Sequence, residues 1–588
     1  MESSTPARPD LQRAINVARR GRTAEATALC QGILASAPGD FDALHLLGVL
    51  TAQQGDTKAA LGWLDQAAHI RPDHLGLLIN LGGLLRLEGR LSEALECFDR
   101  AVSVHPDHPM VLGNRGILLA ELGRLEESLD CIDRVVRLRP GDPDAMVNRG
   151  IALMRLGRWA EALADYDEAV AIRPDHAVTR IVRAAALLKL RRPAESLADC
   201  DRVLALDPEN ATALADRGTA LMALCCPAEA LASYDAGLLV FPDDPHLLDH
   251  RANALRLFGY PIEALAGHER AALLAPDDPT VRRHLGMCRM LLGDFSGGLP
   301  LYEARWQCEP LNRAKRPFAG PPWLGRQSLR GKSILLHAEQ GLGDTIQFCR
   351  YAELVAQQGA TVSLEVQPAL KSLLTGLKGV DRLLVRGEAL PRFDYHCPLM
   401  SLPLACGTDL DTIPAKQRYI TADPARVARW SKRFPMAGRP RIGLTWSGNP
   451  NQAKDRDRSM PFACLARLIN GSAHFFGLQT EVRPSDLSVL ADRNYFEMVD
   501  PASRDFADTA ALIELMDLVV TVDTSVAHLA GAMGKPVWIL LALDPDWRWL
   551  LGRDDCPFYP SATLFRQTAY GDWDSVVDSV AARLAGGI

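Results

Sequence analysis

The sequence lacks the features of a membrane-spanning, secreted or metal-holding chain. No run of about eighteen apolar residues occurs in its 588 residues, so no transmembrane helix is expected. The opening stretch, MESSTPARPDLQRAINVARRGRT, has no apolar segment of the kind found in secretory signals. The 13 cysteines are scattered and none forms a C-x-x-C pair, which favours free thiols over disulfides or a zinc site. We therefore expect a cytoplasmic protein without a bound metal ion.

The sequence also lacks an excess of positive charge. Its formal net charge is −7 and its pI is about 6.1, with 23% charged and 48% hydrophobic residues. Binding to nucleic acids and to anionic membranes usually requires a basic surface, so partners of both kinds are disfavoured. The composition is that of a globular chain, and the length predicts several domains.

What the sequence does contain is an internal repeat of 34 residues. Prolines recur at this interval, at positions 38, 72, 106, 140, 174, 208, 242, 276 and 310. Glycine stands 24 residues before six of them, and alanine stands 12 residues before six. An aromatic residue stands eight residues before four of them, at Phe98, Tyr166, Tyr234 and Tyr302. Small residues let two helices approach closely, the aromatic ring fills the gap to the next unit, and proline ends the second helix.

This pattern resembles the tetratricopeptide repeat, with nine units over residues 7–312. The resemblance implies an α-solenoid whose stacked helix pairs form a groove that binds a protein or peptide. The alternative is that the repeats are a spacer or a dimerisation arm. A dimerisation arm would make the chain a homo-oligomer. Asn80, Asn114 and Asn148 recur in the first helices, where an amide can bond an extended peptide backbone. A solvated helix face explains these asparagines equally well.

A second, α/β region is predicted after a Pro/Gly-rich linker at residues 313–330. Short apolar runs here alternate with helical stretches, which indicates parallel sheets built from β-α-β units. The runs lie at residues 333–338, 361–366, 382–385, 441–446, 474–479, 518–523 and 536–542. They form two Rossmann-like halves, residues 331–430 and 431–588, and ligands of such folds bind at the carboxyl ends of the strands.

The first candidate site stretch is HAEQGLGDTIQF, in which a strand runs into Gly341, Gly343 and Asp344 at a helix start. Glycines allow a ligand to approach the backbone, and the free N–H groups of a helix start attract anions. With Glu365 as the ribose-binding acid, the stretch could also be a dinucleotide site, but the third glycine of that fingerprint is missing. Asp344 could instead simply cap the helix.

The second stretch, LTWSGNPNQAKDRDRSMPF, is a loop after a strand that carries Lys454 and Arg458. Cations in such a loop suit a phosphorylated ligand, although alternating acids and bases also occur on solvated loops. Gln479 ends the next strand and is a weaker candidate for the same site.

The third stretch, VVTVDTSVAHLAGAMGKPVW, runs from a strand into a helix through Asp523, Thr524 and Ser525. Hydroxyls and unpaired N–H groups at a helix start together bind anions, and His528 shares the face of Thr524 and Ser525. The alternative is that the three residues cap the helix and that His528 belongs to the core.

Together these stretches resemble the GT-B glycosyltransferases of the ADP-heptose–lipopolysaccharide heptosyltransferase family. The GD pair, the basic loop and DTSVAHLAGAMGKPV match that family's pattern, except that Ser525 stands where the family has glycine. Repeats fused to a GT-B domain are also similar in architecture to protein O-linked N-acetylglucosamine transferases. An adaptor whose GT-B domain is inactive or only senses a nucleotide sugar is the alternative.

The resemblance implies a hexosyl- or heptosyl-transferase with a nucleotide-sugar co-substrate and no other cofactor. Asp344 would be the general base of an inverting, metal-independent transfer. Most of the other candidate residues would bind the donor: Gly341, Gly343, Lys454, Arg458, Gln479, Asp523, Thr524, Ser525 and His528. The repeats suggest that the acceptor is a protein.

Overall fold

The structure, a computed structural model, describes residues 9–415, 418–434, 438–450, 455–479, 481–490, 494–500 and 504–587. The chain divides into two compact units between Ser233 and Tyr234, inside the second helix of the seventh repeat. The first unit is wholly helical in its described residues. The second contains the last repeats and two β-sheets.

Residues 9–302 form eighteen helices in nine sequential pairs, and each pair corresponds to one repeat of the sequence. Their bounds are α1 (Pro9–Arg19), α2 (Thr23–Ser36), α3 (Phe41–Gln53), α4 (Thr57–Ile70), α5 (Leu75–Leu87), α6 (Leu91–Val104), α7 (Pro109–Glu121), α8 (Leu125–Leu138), α9 (Pro143–Arg155), α10 (Trp159–Ile172), α11 (Ala177–Lys189), α12 (Pro193–Leu206), α13 (Ala211–Ala223), α14 (Pro227–Val240), α15 (Pro245–Leu257), α16 (Pro261–Leu274), α17 (Pro279–Leu291) and α18 (Phe295–Tyr302).

The repeated glycines are needed where the two helices of a pair touch. A Cβ at Gly150 of α9 would lie 2.3 Å from Cε1 of Tyr166 in α10. At Gly82 of α5 it would lie 2.9 Å from the Phe98 ring of α6. Both distances are shorter than any tolerable contact, so the small residue and the aromatic residue of a unit depend on each other.

An ion pair recurs with the same period and joins successive helix pairs. In several successive repeats an arginine on the first helix binds an aspartate 16 residues earlier, on the second helix of the preceding pair. In the first unit these pairs are Arg115–Asp99 (2.6 Å), Arg149–Asp133 (3.4 Å), Arg183–Asp167 (3.1 Å) and Arg217–Asp201 (2.7 Å).

The rest of the chain alternates strands and helices. The strands are β1 (Ser333–His337), β2 (Thr361–Val366), β3 (Arg382–Val385), β4 (Tyr395–Pro398), β5 (Arg441–Thr445), β6 (His474–Gly477), β7 (Phe496–Met498), β8 (Leu518–Val522), β9 (Val537–Leu541) and β10 (Ala562–Arg566). The helices are α19 (Leu311–Ala314), α20 (Leu342–Phe348), α21 (Tyr351–Gln357), α22 (Lys371–Leu374), α23 (Leu402–Ala405), α24 (Pro424–Arg433), α25 (Asp455–Arg458), α26 (Phe462–Leu465), α27 (Pro484–Leu490), α28 (Phe506–Leu515), α29 (Ser525–Ala532) and α30 (Trp573–Ala585). Short 3₁₀ turns span Glu303–Gln307, Pro368–Leu370, Leu399–Ser401, Ala466–Leu468 and Trp547–Trp549.

The strands form two sheets in which every described pairing of strands is parallel. The first has the order β3-β2-β1-β4 and the second the order β10-β9-β8-β5-β6-β7. The prediction of a helical repeat solenoid followed by a GT-B-like α/β region is therefore confirmed. In both sheets the central strands β1 and β8 are almost fully buried, which is why their sequences are continuous apolar runs.

Three strands, β4, β7 and β10, are absent from the sequence-based prediction. β7 has only three residues, and β4 reads Tyr-His-Cys-Pro, without an apolar run. β10 at the sheet edge reads Ala-Thr-Leu-Phe-Arg and alternates only weakly. Strands this short are held by their neighbours more than by their own residue preferences.

One apolar core joins the last repeat to both sheets within the second unit. Phe295 and Tyr302 of α18 share this core with Leu336 of β1, and Phe295 meets Trp547 edge-on at 5.6 Å. None of the described helices combines the length and the apolar character needed to cross a bilayer.

Candidate active site

Two strand–helix junctions, one from each sheet, lie against each other. β1 leads through residues 338–341 into α20, and β8 leads through Asp523 and Thr524 into α29. Gly343 of α20 packs directly on α29, because a Cβ at this position would lie 2.7 Å from Cδ2 of His528 and 3.6 Å from Cα of Ser525. The structure thus brings the first and third candidate stretches of the sequence into contact.

Asp344 uses both carboxylate oxygens. Its Oδ2 accepts a hydrogen bond from the N–H of Gly341 at 2.8 Å, so the aspartate caps α20 as the alternative interpretation predicts. Its Oδ1 pairs with the guanidinium of Arg548. Burial raises the pKa of Asp344 above its ordinary value, and the positive charge of Arg548 opposes this rise.

Arg548 is a central residue of the site that the sequence analysis misses. Its side chain is only 8% exposed; it pairs with Asp344 and, at 2.7 Å, with Asp546. Its guanidinium also lies over the rings of Phe348 and Trp547, 5.4 and 5.1 Å from their centroids. A buried arginine needs such partners. The only sequence signal is an arginine between two tryptophans.

His528 is buried and neutral. Its Nδ1 is hydrogen-bonded to the hydroxyl of Tyr559 at 2.9 Å, and its ring stacks on Trp549 at 5.3 Å. Burial lowers the pKa of His528 well below its ordinary value, and nearby arginines, Arg548 first, lower it further. The imidazole therefore carries no positive charge at neutral pH.

Asp523 follows β8 and lies near the imidazole of His528, whose Nε2 is 3.8 Å from its Oδ1. Burial, followed by the negative charge of Asp546, raises the pKa of Asp523 to about 6. Arg458 of α25 donates to the carbonyl oxygen of Asp523 at 3.2 Å. The structure therefore brings Arg458 of the basic stretch to the start of α29.

Thr524 occupies the N-cap position of α29, but its side chain makes no capping bond. Its hydroxyl is hydrogen-bonded to that of Thr521 at 3.1 Å instead. Ser525 is the first residue of the helix. The first N–H groups of a helix have no partner within it, so they are available to an anion here.

Gln479 is engaged in holding the loop after β5. Its Oε1 accepts from the N–H groups of Trp446 and Ser447 at 3.1 and 3.3 Å. Its Nε2 donates to the carbonyl and the hydroxyl of Ser447 at 2.8 and 3.0 Å. Direct binding of a donor by Gln479 stays a prediction. Lys454 lies outside the described residues.

Glu339 is a second residue that the sequence analysis misses. It stands in the loop between β1 and α20, and its side chain is only 5% exposed. Its Oε1 lies 3.3 Å from Nη2 of Arg305 and accepts from the N–H of Met400 at 3.1 Å. Burial raises the pKa of Glu339 to about 7, against the effect of Arg305. Its position in the sequence, before a Gly-rich turn, does not by itself indicate a buried or functional residue.

The predicted groove residues lie on first helices of the repeats. The Nδ2 of Asn80 is hydrogen-bonded to Nε2 of His45 at 2.9 Å, which links two successive repeats. Asn114 in α7 and Asn148 in α9 are half-buried. Among the residues that the structure describes, no group of three or more His, Cys, Asp or Glu side chains is placed to hold a metal ion.

Gly343→Ala is expected to lower the free energy of unfolding by about 1–3 kcal/mol, because the new Cβ would overlap the stacked imidazole of His528. Gly83→Ala is the matched control, since Gly83 is helical and has nothing within 4 Å of its added Cβ. For Gly83→Ala we expect the free energy of unfolding to rise by about 1 kcal/mol. Denaturant unfolding measures both changes, and a Gly343→Ala protein as stable as wild type would contradict the contact.

Glu339→Gln tests the raised pKa through the pH dependence of stability. A carboxyl group whose folded pKa lies above its unfolded value stabilises the protein fully below the unfolded pKa. That contribution is lost as pH rises through about 7. The wild type is therefore expected to lose up to about 3 kcal/mol between pH 4.5 and 8 that Glu339→Gln does not lose. Denaturant unfolding at several pH values measures the difference, and parallel curves for the two proteins would contradict it.

Comparison with known families supports both parts of this description. Tetratricopeptide repeat models match residues 11–74, 81–143 and 124–187. The model of glycosyltransferase family 9 (heptosyltransferase) matches residues 502–543, which include Asp523 to His528 but not Asp344 or Arg458.

Individual proteins are similar over part of the chain. Protein FlbA of Caulobacter vibrioides is 27% identical over 319 residues, which are 50% of this chain and 53% of that protein. The chain thus spans about half the length of the curated relative it matches. A tetratricopeptide repeat protein from Parabacteroides merdae is 21% identical, with a TM-score of 0.38, over 42% of this chain and 98% of its own. A thermophilic TPR protein in Thermus thermophilus is 23% identical, with a TM-score of 0.29, over 31% of this chain and 98% of its own. We conclude that tetratricopeptide repeats and a segment similar to glycosyltransferase family 9 occur in one chain, as the sequence predicts.

Proposed function

We propose that this protein is a glycosyltransferase that moves a hexosyl or heptosyl group from a nucleotide-sugar donor to the hydroxyl of an acceptor. One observation carries the proposal: Gly343, the neighbour of Asp344 in the first half, lies against Ser525 and His528 of the second half. A single displacement needs a base on one side of the reacting carbon and a site for the departing anion on the other. The two junctions supply one of these each.

The departing diphosphate is assigned to the start of α29. The N–H groups there, the hydroxyls of Thr524 and Ser525, and the guanidinium of Arg458 at Asp523 can share its negative charge. Lys454 is proposed to add a second cation. These groups account for a metal-independent reaction.

Asp344 is proposed as the general base. A carboxylate has about four lone-pair sites, and the bonds from Gly341 and Arg548 leave room for an acceptor hydroxyl. Asp344 removes the hydroxyl proton, the freed oxygen attacks the anomeric carbon, and the bond to the diphosphate breaks with its electron pair leaving on phosphate. One such step inverts the anomeric centre.

Asp523 and His528 are proposed to orient the donor sugar. With a pKa of about 6, Asp523 can accept a hydrogen bond from a sugar hydroxyl near neutral pH and donate one below it. His528 contributes an uncharged ring edge beside it. Gln479 is proposed to contribute to the donor site by holding the loop after β5. Gly341 is proposed to contribute by donating its N–H to Asp344.

The acceptor is proposed to be a polypeptide that the repeats recruit. Asn114 and Asn148 recur at the same place in successive first helices, and Asn80 is placed there by His45. Such a ladder of amides suits an extended backbone that runs along the repeats.

Donor binding is tested by thermal unfolding with UDP-, GDP-, ADP- and CMP-sugars. A ligand at a hundredfold excess over its Kd stabilises the protein by about 2.7 kcal/mol, so one class of donor is expected to raise Tm. Arg458→Gln should remove most of that rise. Arg467→Gln, which loses exposed ion pairs with Asp574 and Asp578, should keep it. No rise with any donor would overturn the proposal.

An adaptor that does not catalyse transfer is the second candidate. The extent of the family match favours it, because residues 502–543 include neither Asp344 nor Arg458, to which the transfer reaction is assigned. In that case a nucleotide sugar would bind without turnover, or not bind, while the repeats still bind their peptide.

A further inference from the structure

A cavity of about 530 Å³ lies at the carboxyl ends of β1 and β4, apart from the start of α29. Its outer wall is the segment 303–324, which joins the last repeat to the first sheet. Trp306, Phe318 and Leu324 of this segment line it. Its inner wall includes His337 of β1 and Glu339 of the loop that leads to Asp344. The volume is within the usual range of ligand sites.

Four charged groups of the wall, Glu303, Arg316, Glu339 and Arg386, already have partners, and the fifth, Lys315, is exposed to solvent. Arg316 pairs with Glu365, with Nη1 and Oε1 2.9 Å apart, and stacks over Phe318 at 4.8 Å. Arg386 donates to the carbonyl oxygen of Ala338. The buried guanidinium of Arg305 is shared between Glu303 and Glu339.

The remaining wall is aromatic and apolar. The Phe318 ring lies 4.6 Å from His337 and 4.5 Å from His396. Burial lowers the pKa of both histidines, so both rings are neutral. A phosphorylated saccharide would meet two carboxylates, Glu303 and Glu339, whose single arginine is already engaged. An uncharged, apolar occupant meets no such cost.

We propose that this cavity binds apolar side chains of a polypeptide acceptor and so presents the adjoining hydroxyl residue to Asp344. The volume holds about two or three such side chains. Glu339 belongs both to the cavity wall and to the β1–α20 loop, and α20 carries Asp344 in its first turn, which places an occupant next to the base. The transfer of a sugar to the hydroxyl residue rests on the proposed function. The binding of the peptide in the cavity does not.

The test is a selection on the immobilised full chain with a synthetic library of nine-residue peptides that have a central serine and mixed flanking residues. Wild type is expected to enrich Leu, Ile, Phe or Met beside the serine at least threefold. Leu324→Trp fills the cavity and should abolish this enrichment, and Leu324→Asp is a second variant should the first not fold. Leu390→Trp is the control, since Leu390 is 37% exposed against 36% for Leu324 but does not line the cavity.

Equal enrichment by wild type and both Leu324 variants would overturn the proposal, because the peptides would then bind elsewhere. An absence of apolar preference in the wild-type selection would also overturn it. So would a selection in which a sugar phosphate, added as a competitor, binds at the cavity in place of the peptides. The Tm rise with nucleotide sugars is measured in parallel on the same proteins. Its loss alone would overturn the proposed function and leave the peptide result standing.

Discussion

Replacing Asp344 by asparagine is expected to reduce the rate of sugar transfer by about 10²–10⁴-fold and to leave donor affinity nearly unchanged. Asparagine keeps the shape of the side chain and can still accept the Gly341 N–H, but it cannot take a proton from the acceptor. The groups assigned to the diphosphate lie on α25 and α29, not on the helix that carries the substitution. The measurements are kcat with a saturating donor and the Tm rise with that donor.

The matched control for this substitution is Asp411→Asn, which removes an exposed carboxylate from the same half of the α/β region. We expect its kcat to stay within a factor of two of wild type. An Asp344→Asn protein with near-normal turnover would remove Asp344 from the mechanism. Loss of both turnover and donor binding would show that the aspartate holds the two junctions together and does not act as the base.

The part of the site that the sequence predicts is the part built by local chemistry. Asp523 to His528 follow the fully buried strand β8, and a polar group at the end of an apolar run is visible without a structure. Gly343 is predicted as a position of close approach. Its neighbour proves to be His528 of the other half, and a contact between such distant segments leaves no periodic signal.

The residues that the sequence does not reveal are the buried charges. Arg548, Arg305 and Glu339 depend on partners from other elements, and each side chain is 8% exposed or less. From the sequence alone, such residues are most simply interpreted as solvent-exposed, because charged side chains are seldom buried unless they are paired. Thr524 does not fit the alternative in which its side chain caps the helix, since its hydroxyl bonds Thr521 instead.

Replacing Arg548 by glutamine is expected to destabilise the protein by about 3 kcal/mol and to reduce transfer strongly. The change leaves Asp344 and the partly exposed Asp546 without the buried cation that they share, and an unpaired buried charge such as that of Asp344 is costly. Arg553→Gln is the control: it removes a more exposed arginine that pairs with Asp555, and such pairs contribute less than about 1 kcal/mol. Denaturant unfolding and kcat are measured on both proteins.

A double-substitution cycle separates positioning from bulk destabilisation. If Arg548 acts through Asp344, the cost of Arg548→Gln in kcat should largely vanish in the Asp344→Asn background, because the base that it positions is already absent. If it acts only on stability, the two losses in kcat will multiply. The pH dependence of kcat adds an independent readout. In the wild type the guanidinium of Arg548 opposes the effect of burial, so the pKa of Asp344 should rise further in Arg548→Gln. The acid limb of the kcat profile should therefore move to higher pH in Arg548→Gln, and an unmoved limb would contradict a direct electrostatic role for this arginine.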